Sequence, residues 1–342
     1  MVLASNAEFK TSPPGLMPKQ LSDITWVADL EWRLAPRRAA ERLHHKGRTA
    51  HGHGDFMARH RKLVRPLIQG VLLAAGLYGR GRANALRPVV RHVRFEFPNL
   101  PVEAEGFRIL HLSDLHIDGQ DGLAEAVAGL VRGLRVDLCV MTGDYRYGVE
   151  GPCDRVYAGM RTILEAVRAR HGVLAILGNH DEADMAVRLA EMGTRMLIND
   201  AVRIAGGIWI IGVDDAHYYG CDDLSTPLAA VPEGAFKLLL AHTPELYAEA
   251  AEAAIDLYLC GHTHAGQVRL PYWGPLMLNA ACPRAYTQGR WRHGSTAGYT
   301  SAGVGCSLLP VRYNCPPEIA VIELARSGRR GGIPAITAPG RS

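Results

Sequence analysis

Hydrophobic positions along this chain change period several times. The run Ile24 to Leu43 is amphipathic at helical spacing, with Ser22 as a candidate N-cap. It carries Arg33, Arg37, Arg38 and Arg42, with Trp26 and Trp32 on less polar flanks. A short apolar stretch runs from Pro66 to Tyr78. From Val89 the pattern changes. His92 to Phe97 alternates as a strand, and 106–112, 136–141, 172–177, 201–205, 208–212, 236–241 and 255–260 are apolar runs of strand length. Helical spacing occupies 123–134, 156–170 and 185–192, and a short helix is expected from Pro244. Strand and helix alternate early and strands crowd together later. That order predicts a layered α/β sandwich with mixed sheets.

The length of 342 residues and hydrophobic fraction of 48% give ample core for one large domain or two smaller ones. The net charge of +4 is unevenly placed: residues 1–92 hold 16 Lys and Arg against 6 Asp and Glu, so the remainder is acidic. The stretch 66–78, as a helix, would cover about 20 Å of a hydrocarbon core about 30 Å thick. Arg59, Arg61, Lys62 and Arg65 flank it on one side, and Arg80, Arg82 and Arg87 on the other. An apolar segment with basic flanks suits an anionic membrane surface, so 59–87 is expected to lie peripherally on one. A helix packed on the main domain is the alternative. No recognition motif or aromatic interleaving points to nucleic acid. Histidines 44, 45, 51, 53 and 60 read as part of a solvated linker rather than a metal site. The seven cysteines show no CxxC pairing and are expected as reduced thiols in a cytoplasmic protein. Residues 1–20 lack the charged start and apolar centre of a signal peptide. The expected organisation is therefore a disordered 1–20, a basic helical 21–88, a catalytic domain 89–326 and a disordered tail 327–342.

Five strand ends carry metal-type residues. They are Ser113-Asp114-Leu115-His116, Thr142-Gly143-Asp144, Gly178-Asn179-His180-Asp181, Ala241-His242-Thr243-Pro244 and Gly261-His262-Thr263-His264. Each follows an apolar run directly, so all could meet along one sheet edge, where open α/β sheets hold ligands. Within the last cluster, His262 and His264 would share one face if the strand continued. Carboxylate oxygens and imidazole nitrogens together suit Mn, Fe and Zn. Asp144 is the natural bridging carboxylate, since a shared anion screens two neighbouring cations. Such a pair clamps a phosphate and activates water. Glycines 143, 178 and 261 would let the backbone turn beside the ions.

In this order, DxH, GD, GNHD, H and GHxH resemble the calcineurin-like metallophosphoesterase superfamily over roughly residues 105–325. The resemblance implies a four-layer α/β/β/α sandwich of two mixed sheets behind a basic helical extension. It implies one metal held by Asp114, His116, Asp144 and His264, and a second by Asp144, Asn179, His242 and His262, with Mn favoured. His262 and His264 then divide between the ions, with the chain turning at Gly261. His180 would contact the phosphate or protonate the leaving oxygen, and Asp181 would orient it. A metal-bridging hydroxide would attack phosphorus in line. The extension Gly261 to Pro271, with Tyr299–Gly305, Leu309–Tyr313 and Pro317–Ile319, is similar to a bacterial membrane-associated branch. That branch includes phosphodiesterases with an N-terminal membrane segment and a UDP-2,3-diacylglucosamine pyrophosphatase. The implied activity is hydrolysis of a phosphodiester or pyrophosphate in a phosphorylated, lipid-linked small molecule, at the inner face of the cell membrane. A soluble phosphomonoesterase or cyclic-nucleotide phosphodiesterase, or a non-catalytic scaffold, are the alternatives. Arg312 is expected to pair with Glu318 in preference to meeting a phosphate. Asp214, Asp215 and His217 either line the substrate pocket or cap a turn.

Overall fold

The apolar runs are rich in Val, Ile and Leu, which pack well on a pleated surface and leave solvent when two sheets face each other. The computed structural model describes residues 29–45 and 65–327. Among these, the first six-stranded sheet has the order β1 (Val89–Phe97), β14 (Glu318–Arg326), β2 (Arg108–Leu112), β3 (Leu138–Met141), β4 (Val173–Ala175) and β5 (Thr194–Met196). The second has the order β12 (Gly289–His293), β13 (Thr296–Thr300), β9 (Leu257–Cys260), β8 (Phe236–Leu240), β7 (Ile208–Gly212) and β6 (Asp200–Arg203). A small antiparallel pair, β10 (Arg269–Leu270) with β11 (Gly274–Pro275), stands apart. Strands β2 to β5 are parallel, whereas β14 runs antiparallel to β2 and parallel to β1. Strands β7, β8, β9 and β13 are parallel, with antiparallel edges at β6 and β12.

The sheets stack face to face. Ile109, Leu138, Val140, Leu174 and Ile322 of the first meet Ile208, Ile210, Leu238, Leu240 and Leu259 of the second. Each such side chain contributes about 1.5–3 kcal/mol by leaving water, so this layer is a main source of stability. Helices Leu123–Val131, Asp154–Ala166 and Ala183–Glu191 cover the outer face of the first sheet through Val127, Val131, Met160, Ile163 and Leu189. Helix Tyr247–Glu252 covers the outer face of the second, with Ala250 packed among Leu239, Tyr258 and Ile211. The result is the α/β/β/α sandwich of two mixed sheets that the resemblance implies. The short β5 and all strands from β10 onward are additions to the sequence expectation.

The N-terminal region is helical at 29–33 and over Ala35–His45, within the expected amphipathic run. Leu30 and Leu34 join the helical layer of the first sheet. Residues 1–20 and 328–342, expected as disordered, and most of the histidine-rich stretch, 46–60, lie outside the described residues. The apolar stretch divides. It is helical at 65–74, and a second helix, Tyr78–Ala85, begins at its end. Leu67, Val71 and Leu73 are exposed at 68%, 61% and 56%, while Ile68 and Leu72 are half-buried, so one face of this helix leaves its apolar residues open. Among the described residues, no helix is long and apolar enough to cross a membrane.

Candidate metal centre

Parallel strands deliver the five clusters to one end of the sandwich. The loops after β2, β3 and β4 come from the first sheet, and those after β8 and β9 from the second. They lock together through backbone: Asp114 N donates to Gly143 O at 3.0 Å, and His116 N to Asp144 O at 2.9 Å. The His262 amide donates to both oxygens of Asp114 at 3.0 Å, which joins the two sheets at the site. Gly261 is required by proximity, because a Cβ there would lie 1.9 Å from Ser113 Oγ and 2.2 Å from Asp114 Oδ2. The strand ends at Cys260 and the chain turns directly after it. Gly261 is not left-handed, whereas Asp114, His116, Asp144, His262 and His264 all have φ between 38° and 68°. That conformation is costly for residues with a Cβ, and strained backbone of this kind clusters at functional sites.

Among the described residues, three groups of buried donors result. Asp114, His116 and His264 form one, Asp144, His242 and His262 a second, and His116, Asp144 and His180 a third. Within each, the ligand-type atoms lie within 4.8 Å of one another. Asp144 Oδ2 is central, 3.5 Å from His116 Nε2 and 3.4 Å from His242 Nε2. Asn179 Oδ1 adds to the second group, 3.0 Å from His242 Nε2. His262 and His264 diverge: His262 Nδ1 faces His242 Nε2, and His264 Nε2 faces His116 Nε2, each at 3.2 Å.

Proton placement shows what this arrangement demands. His242 Nδ1 lies 2.7 Å from Thr142 O, and His116 Nδ1 lies 2.6 Å from Arg146 O. A carbonyl only accepts, so both Nδ1 atoms carry hydrogen and both neutral rings turn an Nε2 lone pair inward. There the His242 lone pair meets Asn179 Oδ1 and Asp144 Oδ2, which are also acceptors. A cation resolves that conflict, and imidazole, carboxylate and amide oxygen form a donor set suited to divalent metals. In the protein alone a second proton meets the same need: despite burial, Asp144 raises the His242 pKa to about 10. Burial opposes ionisation of Asp144, but His242, His180 and His116 outweigh it and hold the carboxyl well below its usual range. Burial, with neighbouring positive groups, pushes His262 and His264 well below the usual imidazole range.

His180 is placed at the edge of this centre. Its Nδ1 lies 2.8 Å from Tyr147 O, and its Nε2 is 4.0 Å from Asp144 Oδ2. Asp181 works on the backbone beneath that ring. Its carboxylate accepts from the amides of Asp144, Gly178 and Tyr145, each at 2.8 Å, and so fastens the β3 loop to the β4 loop. Arg312 does not pair with Glu318, which instead meets Arg91 and the Tyr299 hydroxyl. Arg312 is buried behind His264, with Nη2 3.3 Å from His264 Nδ1 and 3.0 Å from Gly303 O. Asp215 caps a turn by accepting from the amides of Tyr218 and Tyr219. His217 reaches the site, its ring centroid 4.4 Å from that of His262.

One residue beside the site was read only as part of a basic helix face. Arg37 is wholly buried and donates to Asp214 at 2.7 Å and to the carbonyls of Gly178 and Asp181 at 2.6 Å each. It also stacks on Tyr219 at 3.6 Å, and its neighbour Glu41 accepts from the Ala183 amide. The N-terminal helix thereby clamps the loop that carries Asn179 and His180. A helical period that brings Arg37 in line with Leu30 and Leu34 was the available signal.

A family model described as calcineurin-like phosphoesterase matches residues 107–266. An uncharacterized metallophosphoesterase of Bacillus subtilis, YkuE, is 29% identical over 273 residues, covering 75% of this chain and 93% of its own. The phosphodiesterase YaeI of Escherichia coli is 30% identical over 233 residues, covering 65% and 83%. A Bos taurus transmembrane protein with a metallophosphoesterase domain is 29% identical over 294 residues, covering 77% and 63%.

Proposed function

Because the chain belongs to the calcineurin-like phosphoesterase family, we propose that it is a two-metal hydrolase of a phosphodiester or pyrophosphate bond in a lipid-linked substrate. Family membership makes it a metallophosphoesterase that uses divalent metal and acts on phosphoesters. The observation that carries the two-metal reading is the sharing of Asp144 between two donor groups, one with His116 and His180 and one with His242 and His262. Asp114, His116, Asp144 and His264 would hold one ion, and Asp144, Asn179, His242 and His262 the other, with Mn the favoured metal. When bound, two such ions polarise phosphoryl oxygens and lower the pKa of water.

The chain's own part is positional and protonic. Tyr147 O fixes the His180 ring so that Nε2 looks toward the carboxylate centre. From there, His180 in its cationic form donates to a phosphoryl oxygen or gives its proton to the leaving group. Asp181 holds the loop on which His180 stands. Residues 89–326 form the catalytic unit and 21–88 its basic extension. The lipid reading is supported by the exposed apolar helix 65–74 between clusters of arginine. It places the protein peripherally on the inner face of the cell membrane, in the membrane-associated branch of the family.

The test is hydrolysis of bis(p-nitrophenyl) phosphate with Mn²⁺, followed by detergent-dispersed UDP-2,3-diacylglucosamine beside a water-soluble phosphomonoester. Hydrolysis lost in Asp144→Ala and a preference for the lipid are the expected results. Preference for the phosphomonoester favours the soluble alternative, and no hydrolysis of any substrate removes the enzymatic reading.

A further inference from the structure

Charge is segregated in this chain more sharply than its total suggests. Two stretches, 56–95 and 257–317, contain no Asp or Glu at all, so all 34 acidic residues lie outside them. The first holds helix 65–74, and the second holds the β10–β11 hairpin. Both expose large apolar side chains. On the hairpin, Tyr272 and Trp273 are 107% and 82% exposed, beside Leu270, Leu276 and Met277. Tyr272 sits at φ 65°, where Gly or Asn would relieve the backbone. A tip that bears Tyr and Trp in place of turn residues is shaped by something other than the turn.

Tyr313 links the base of the hairpin to the end of the apolar stretch. The Tyr313 hydroxyl donates to Leu77 O at the end of the apolar stretch, and Tyr313 O accepts from the Arg269 amide at 3.0 Å. The hairpin also adjoins the metal-type residues at both of its ends. A Cβ on Gly266, two residues after His264, would meet Pro275 Cβ at 2.2 Å. Past the other end, Asn279 Nδ2 lies 3.4 Å from His262 Nε2.

We propose that hairpin 269–277 and helix 65–74 together form one lip beside the metal centre that inserts in the interface of an anionic lipid bilayer. Tyr and Trp favour the headgroup level, where an amphipathic ring meets both phases. Leu67, Val71, Leu73 and Leu276 supply apolar area below it. Exposed Arg65, Arg80, Arg82 and Arg284, with no acidic residue within either stretch, supply attraction to anionic headgroups. This deepens the lipid-linked reading and rests on it for the substrate class: the scissile phosphate would be met at headgroup depth, with the acyl chains left in the bilayer.

The test uses full-length protein and two vesicle types, phosphatidylcholine alone and phosphatidylcholine with phosphatidylglycerol at a ratio of about three to one. Cosedimentation is expected with the anionic vesicles only. Tyr272→Ser with Trp273→Ser is expected to weaken that binding about tenfold, as loss of interfacial aromatic area requires, while hydrolysis of bis(p-nitrophenyl) phosphate persists. Leu67→Ser with Val71→Ser, on the other element, is expected to weaken it independently. Unchanged binding in either variant overturns the joint lip, as does absence of binding in the parent protein. So does a loss confined to DNA binding or to self-association measured by light scattering. Vesicle binding without hydrolysis would instead leave the lip standing and remove the hydrolase reading.

Discussion

Helix Ala35–His45 sends an arginine wholly into the protein, whereas the helical stretch 65–74 leaves leucine and valine mostly in water. Both belong to the same basic N-terminal region, and hydropathy alone would assign them the reverse. The difference lies in the partners each meets. Arg37 finds a carboxylate, two carbonyls and an aromatic face at the loop of His180, which together replace most of its hydration. Leu67 and Val71 meet no such complementary surface on the domain. Burial therefore reports what a side chain is offered, and one arginine here belongs to the machinery of the site while a nearby leucine does not.

The comparison breaks first if the centre that Arg37 supports does no chemistry. The largest effect is therefore expected from Asp144→Ala, or from chelation of the purified protein, each reducing Mn²⁺-supported hydrolysis of bis(p-nitrophenyl) phosphate to background. His180→Ala should follow, lowering kcat by about 10²–10⁴-fold in the same assay. Arg37→Ala leaves Asp214 buried without its cation and should cost roughly 3–5 kcal/mol in urea unfolding. Arg37→Lys should recover little, because one ammonium cannot span the three acceptors. An Arg37→Ala protein as stable and active as its parent would erase the contrast between the helices. Glu41→Gln, which keeps an oxygen for the Ala183 amide but removes the charge beside Arg37, should shift stability by about 1 kcal/mol or less. Smallest of all, Leu67→Ser with Val71→Ser should leave urea unfolding and soluble-substrate hydrolysis within about 0.5 kcal/mol of the parent, as expected for exposed positions.

The five clusters were legible because each follows its apolar run with almost no intervening loop, so strand order alone brings them near one edge. The helices Leu123–Val131 and Asp154–Ala166 were legible from spacing, though Val167 turns extended and stops the second short of Arg170. Strand β14 was hidden. It follows an irregular stretch, and nothing local in Glu318–Arg326 says that it enters the middle of a sheet whose other strands lie far away in sequence. The role of Asp181 was also hidden, since a carboxylate next to a histidine reads as its partner until three amides are seen to take both oxygens. Nor could periodicity tell which of Arg33, Arg37, Arg38 and Arg42 would turn inward, because that choice depends on the loop opposite. The exposed hairpin was read only as a motif extension, for its Pro and Gly residues carry no strand period.

Strand β14 also sets a timetable. Among the described residues it is the sole sheet neighbour of β1, with Val89 paired to Glu318, and it covers the free edge of β2. A ribosome releases these partners in the opposite order to their need: β1 and β2 emerge early, and the strand that joins them emerges after every other described strand. Until then β2, which leads into Asp114 and His116, presents an open edge to any passing chain. The first sheet is thus not closed beside Asp114 and His116 until β14 has emerged and stitched β1 to β2.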